Sequence, residues 1–126
     1  MLIETRKCHY EWFNDQICSS KPLGGFDLFQ HKNPKDGPFY LWSFGIYEVH
    51  DRMNGYGQKM LKEALTLANG HPVILYVHKK NPVAIHVYEK AGFRIVGEYM
   101  GKEAWTMQHD GLITDEFNSN KEMAVC

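Results

Sequence analysis

This sequence predicts a single α/β domain built on a mixed sheet, and three observations carry that reading. Residues 39–49 and 73–77 are nearly unbroken apolar runs, rich in aromatic and β-branched side chains, as in strands covered on both faces. Each run is followed by a segment with helical apolar spacing that closes on a glycine. The order is strands first and then β-α-β-α-β-β, in which a strand-helix-strand unit makes parallel neighbours through a right-handed crossover. With 126 residues the chain can bury one core but not two. Residues 1–109 are taken as the domain and residues 110–126 as a polar, mobile tail.

The elements follow in order. Leu2 to Cys8 alternates weakly, as a strand does, and Tyr10 to Ile17 fits a short helix or irregular chain. Phe26 to Phe29 reads as a strand after Gly24-Gly25, and Asn33 to Pro38 as the turn of a hairpin leading into the strand from Phe39 to Val49. Gly45 interrupts that strand and predicts a bulge. A helix then turns Tyr56, Met60, Leu61, Ala64, Leu65 and Ala68 inward, sets Gln58, Lys59, Lys62, Glu63 and Thr66 outward, and stops at Asn69-Gly70. Pro72 to His78 is a buried strand. Asn81-Pro82 is a helix start, with a capping side chain followed by proline at the first helical position. That helix turns Ala84, Val87, Tyr88 and Ala91 inward and ends at Gly92, and Phe93 to Tyr99 and Glu103 to His109 form a last strand pair around Met100-Gly101-Lys102.

Lys plus Arg number 14 against 15 Asp plus Glu, so no net charge draws the chain to nucleic acid or to an anionic membrane. Glu4, Arg6 and Lys7 interrupt the opening residues where a signal peptide would be apolar, and no run reaches membrane-spanning length. Three cysteines without C-x-x-C spacing suit a reducing compartment, and we expect a cytoplasmic protein. The seven histidines show no zinc-ligand spacing, so no metal is expected.

The run Arg52-Met53-Asn54-Gly55-Tyr56-Gly57 sits where an apolar strand gives way to an amphipathic helix. Glycines there let backbone approach a ligand, and the helix start aims unpaired N–H groups at an anion such as a pyrophosphate. Helix-dipole attraction supplies only about 1 kcal/mol, against roughly 8 kcal/mol for micromolar binding, so further backbone bonds and apolar contact are required. A third glycine and an acidic β-α-β partner are lacking for a dinucleotide fold, and Gly-Lys-Ser/Thr is lacking for a P-loop.

With Arg52-x-x-Gly55-x-Gly57 opening one helix and Asn81-x-x-Ala84-Ile85-x-x-Tyr88-Glu89-Lys90-x-Gly92-Phe93 spanning the next, the chain resembles the GNAT superfamily of acetyl-CoA-dependent N-acetyltransferases. The likeness runs from about Phe39 to His109, and Met53 replaces the family's usual glycine. The resemblance implies a mixed, mostly antiparallel sheet with a splayed central parallel pair and helices on both faces. It implies acetyl-CoA as co-substrate, with Tyr47 and Val49 at the strand end pairing with the pantetheine arm. Arg52, Asn54, Gly55, Tyr56, Gly57 and Gln58 would hold the pyrophosphate, and Asn81 and Tyr88 would lie beside the arm. Tyr88 would donate a proton to the leaving thiolate. A phenol near pKa ~10 stays protonated at neutral pH, while a thiol titrates near ~8.5.

The general base stays open. Leu41 and Ser43 offer none, Tyr76 stands where relatives carry a glutamate, and Glu48, His50 and His78 lie near the expected reaction centre. An α-amine near ~7.7 costs about 1 kcal/mol to deprotonate at pH 7 and a lysine near ~10.4 roughly 4.6, which favours the easier amine. Trp12, Phe13, Trp42 and Trp105 could line an acceptor pocket or belong to the core. The stretch before the second strand leaves little room for the family's usual pair of helices. The expected partner is an amine acceptor, small molecule or protein, with no nucleic acid and no membrane, and the chain could pair as a homodimer. Two readings of other kinds compete: a catalytically silent acetyl-CoA-binding regulatory module that contacts a protein partner, and an α/β domain that binds no nucleotide.

Overall fold

The computed structural model of the chain describes residues 1–14, 21–30, 37–48 and 55–111. Its elements are β1 (Leu2–Arg6), β2 (His9–Trp12), β3 (Gly24–Gln30), β4 (Phe39–Ile46), α1 (Tyr56–Leu67), β5 (Val73–His78), α2 (Pro82–Lys90), β6 (Arg94–Tyr99) and β7 (Ala104–His109). They form one seven-stranded sheet in the order β1-β2-β3-β4-β5-β7-β6, antiparallel throughout except for the parallel pair β4–β5. This is the mixed, mostly antiparallel α/β sheet that the sequence predicts.

Several local expectations are corrected. The segment from Tyr10 opens as strand β2 and not as helix, because Tyr10 and Trp12 pair across the sheet with Phe26 and Gly24 and bury apolar rings there. The rest of that segment, 15–20, lies outside the described residues, as does most of the 33–38 turn; β3 and β4 are nonetheless hairpin partners. The bulge in β4 is not at Gly45, which pairs with Gly25, but between Gly45 and Trp42, where Ser43 takes φ 55°. Nor is β4 covered on both faces, since Trp42 is 45% exposed. The tail from 112 onward is outside the described residues.

The bulge fixes which side chains share a face. Side chains alternate along a strand, so Phe26, Leu28 and Leu41 point one way together with Val73, Leu75 and Met107 of the paired strands. The extra residue at Ser43 brings Phe44 and Ile46 back to that same side. There α1 buries Met60, Leu61, Ala64 and Leu65, and α2 buries Tyr88 against Phe44 and Phe93, at ring distances of 5.8 Å each. Both crossovers step the same way across the sheet, and the right-handed rule therefore sends both helices to one face. Helices on both faces were expected; among the described residues both stand on this one. Tyr40, Trp42, Tyr76 and Tyr99 look out from the other.

Two α1 residues read as outward-facing instead tie elements together. The Trp12 indole donates to the Glu63 carboxylate, and the Gln58 Nε2 donates to the Val87 carbonyl at 2.9 Å, joining the start of α1 to α2. On the opposite sheet face His9 bridges two carboxylates, Nδ1 to Asp27 Oδ1 at 2.6 Å and Nε2 to Glu11 Oε1 at 3.0 Å, while the Tyr47 hydroxyl also donates to Glu11. The hydrogen bonds to Glu11 and then to Asp27 raise the His9 pKa above 6.5. Burial opposes ionisation of Glu11, but the bonds from Tyr47 and His9 outweigh it and the carboxyl titrates below 4.5.

Two predictions follow from these contacts. A Cβ on Gly24 would lie 2.6 Å from the Gly45 carbonyl oxygen and 2.9 Å from Ile46 Cδ1, so Gly24→Ala should cost about 1–3 kcal/mol in denaturant unfolding. His9, with its raised folded pKa, contributes stability that is fully present below 6.5 and lost as pH rises through the folded value; Glu11, depressed, contributes above 4.5 and loses it as pH falls. The clamp is therefore complete between about 4.5 and 6.5. An NMR titration should place the His9 midpoint above 6.5, and Asp27→Asn should lower it.

Candidate active site

β4 and β5 pair at only two positions, Phe39↔Val73 and Tyr40↔Ile74. Beyond them β4 runs on to Ile46 and β5 to His78 with no further pairing, so the strands part and one edge of each is left open. A cavity of about 520 Å³ occupies the gap. Leu41, Phe44, Leu75, Val77, Ala84 and Tyr88 line it on the helix side; Trp42, Tyr76, Tyr99 and Met100 line it on the other, with His78 and Asn81 at the β5–α2 turn.

The β5–α2 turn positions three of these residues. Asn81 N–H bonds the His78 carbonyl at 3.0 Å, and Asn81 Oδ1 accepts from Ala84 N at 3.2 Å, capping α2 just before Pro82. The cap sets the helix so that Tyr88, two turns on, projects into the core at the cavity wall. Tyr88 is 8% exposed, and burial pushes its phenol up to about 12. No hydrogen bond engages that hydroxyl among the described residues, and no buried side-chain polar atom there lacks a partner, so the hydroxyl opens onto the cavity.

The structure thus brings together Tyr88, Asn81 and His78 of the residues singled out from sequence. Glu48 is exposed beyond the end of β4 and does not line the cavity. Tyr47 is likewise outside the lining; burial and then its bond to Glu11 raise its pKa, and it serves the His9 clamp. Val49, His50, Arg52 and Asn54 lie outside the described residues. Gly55 stands at the start of α1 with φ 75°, the left-handed value that favours glycine, and no side chain caps the helix there. Among the described residues nothing lies within 4 Å of where a Cβ on Gly57 would sit, and Tyr56 stacks obliquely on Trp12 at 5.7 Å. Gln58 has its side chain engaged by α2.

Of the aromatic residues weighed for an acceptor pocket, Trp12 is core at 2% exposure, Phe13 and Trp105 are outside the lining, and Trp42 is in it. Tyr99 and Met100 were missed. Their signal is the last hairpin, which sets Tyr99 on the face of Tyr76, with ring centroids 3.9 Å apart.

The family model described as "Acetyltransferase (GNAT) family" matches residues 5–93. The chain belongs to that family. Among curated proteins it is 34% identical over 77 residues to the N-alpha-acetyltransferase RimI of Mycobacterium tuberculosis (strain ATCC 25618 / H37Rv), covering 51% of this chain and 49% of that protein. The chain therefore spans about half the length of this relative. Among solved structures, Ard1 from Thermoplasma volcanium aligns at TM-score 0.64 and 22% identity, over 75% of this chain and 67% of that one. PaiA N-acetyltransferase from Thermoplasma acidophilum, solved with coenzyme A, aligns at TM-score 0.65 and 22% identity, over 81% of this chain and 59% of that one. At these identities the solved structures show the fold, and it is the GNAT fold.

Family membership implies acetyl-CoA, and the residues of this GNAT domain fit it. The open β4 edge can bond an extended arm, the apolar walls of the gap suit its methylenes, and the start of α1 carries no acidic residue in its first turn to repel a phosphate. Because Asn81 caps α2 whatever else it does, Asn81→Ala should lower stability by about 1 kcal/mol in thermal unfolding, and Asn81→Asp should restore most of it.

Proposed function

We propose that this GNAT domain moves the acetyl group of acetyl-CoA directly to a primary amine, carried by a small molecule or a protein, with Tyr88 as general acid and His78 as general base. The observation that carries this reading is the Tyr88 hydroxyl, without a hydrogen bond among the described residues and open to the gap between β4 and β5, in the same cavity as the His78 imidazole. Acetyl-CoA supplies the acetyl group as a thioester. The neutral amine nitrogen bonds to the acetyl carbon as the carbon–sulfur bond breaks, one proton passes from nitrogen to His78, directly or through water, Tyr88 gives one to sulfur, and exchange through solvent then returns a proton from His78 to the Tyr88 phenolate. The products are an amide and the thiol. Imidazoles accept protons near neutral pH, and His78 is the one imidazole in the described lining.

Alignment supplies the rest of the rate, since a thioester and an amine held in one narrow gap react as neighbours. The α-amine named for the RimI relative supports an acceptor that is easily deprotonated. Cysteines without paired spacing support a cytoplasmic setting.

Thiol release over a panel of amines tests the proposal. Acetyl-CoA at one hundred times its Kd should stabilise the domain by about 2.7 kcal/mol. Tyr88→Phe should keep that stabilisation and lose roughly 10²-fold or more in kcat. With its phenol near 12, Tyr88 should put no alkaline limb on the pH–rate profile in the usual assay range. Stabilisation without thiol release, for any amine or protein acceptor, would make the domain a silent acetyl-CoA sensor. No stabilisation at all would sink the cofactor reading.

A further inference from the structure

The cavity passes between the two parted strands to the sheet face that carries no helix among the described residues, and its wall there is aromatic. Trp42 meets Tyr76 edge-on at 5.9 Å, and Tyr76 stacks on Tyr99 at 3.9 Å. Trp42, Tyr99 and Met100 are 45%, 36% and 64% exposed, three large apolar side chains bordering one opening. Exposed apolar side chains gathered at the mouth of a cavity suit a binding surface. None of the described lining residues is Asp, Glu, Lys or Arg. Among the described acidic side chains, Glu11 and Asp27 lie outside the lining and are engaged by His9 and Tyr47, and Glu48 and Glu103 are exposed outside it.

We propose that Trp42, Tyr76 and Tyr99 form the acceptor wall, and that it selects a primary amine attached to an apolar or aromatic group with no second positive charge. This rests on the acetyl-transfer reading above. An aromatic or alkyl group laid on these rings leaves water and gains ring contact. A polyamine must bring additional ammonium groups against described lining residues that include no carboxylate to receive them, and desolvating an unpaired charge is unfavourable. Aromatic faces attract cations as well, but the stack of Tyr76 on Tyr99 at 3.9 Å withdraws one face of each ring from any cation.

Two measurements test the wall. Calorimetric titration of the acetyl-CoA-free protein with phenethylamine, and separately with spermidine, reads binding without turnover; thiol release with acetyl-CoA reads selectivity. Phenethylamine should bind saturably and exceed spermidine in kcat/KM by about tenfold or more. Trp42→Ala and Tyr99→Ala should raise its KM about tenfold with kcat and the acetyl-CoA thermal shift little changed, and Trp42→Phe should recover most of the loss. Because Trp42 and Tyr99 are partly exposed, the unchanged acetyl-CoA shift also reports that the variants fold. A preference for spermidine, no saturable binding of phenethylamine, or an unmoved KM in Trp42→Ala would overturn the wall. Saturable binding of phenethylamine with no thiol release from any amine or protein acceptor would leave the wall standing and overturn the transferase reading.

Discussion

The separation of β4 from β5 after two paired positions is the constraint on which the site depends. Aromatic contacts flank the gap on both faces of the sheet. The Ser43 bulge turns Phe44 toward the helices, where it meets Tyr88, while Trp42 on the opposite face meets Tyr76. The backbone groups along the open edges stay accessible to solvent or ligand through the cavity, which spares them the penalty of burial without a partner.

Around this gap the sheet divides the work. One face takes both helices and holds the core, in which Met60, Leu61 and Met107 are fully buried. The other face keeps its aromatic and titratable side chains near solvent. β1 and β2 are joined by Lys7 and Cys8 alone, with Cys8 at φ 65°, so this turn contributes no helix to that face. The acceptor side is consequently shaped, among the described residues, by the sheet's own side chains. The His9 clamp binds β2 to β3 and, through Tyr47, to the end of β4, and so steadies the half of the sheet that carries the Trp42 side of the gap.

Much of the fold was legible because its signals are local. Asn81-Pro82 at a helix start, Asn69-Gly70 and Gly92 at helix ends, and the apolar spacing of 56–68 each work within a few residues, and the structure has these features where the sequence puts them. β2 was not legible, since His9 to Trp12 is a short run that becomes strand only by pairing with β3. Tyr88 and Asn81 could be singled out because their motif is contiguous. Tyr99 and Met100 could not, because what makes them wall residues is a hairpin register that lays one ring on Tyr76.

The amino-acid order by itself determined where helices begin and end, which strands are apolar enough to be central, and that a glycine turn feeds α1; those outcomes depend on short-range sterics and hydrogen bonding. Which side chains meet across the gap was decided only in three dimensions. A single extra residue at Ser43 reverses the alternation of β4, sending Phe44 to the phenol of Tyr88 and leaving Trp42 on the open face, and a strand's pattern of apolar residues does not reveal where such a residue is inserted until its partner strand fixes the register.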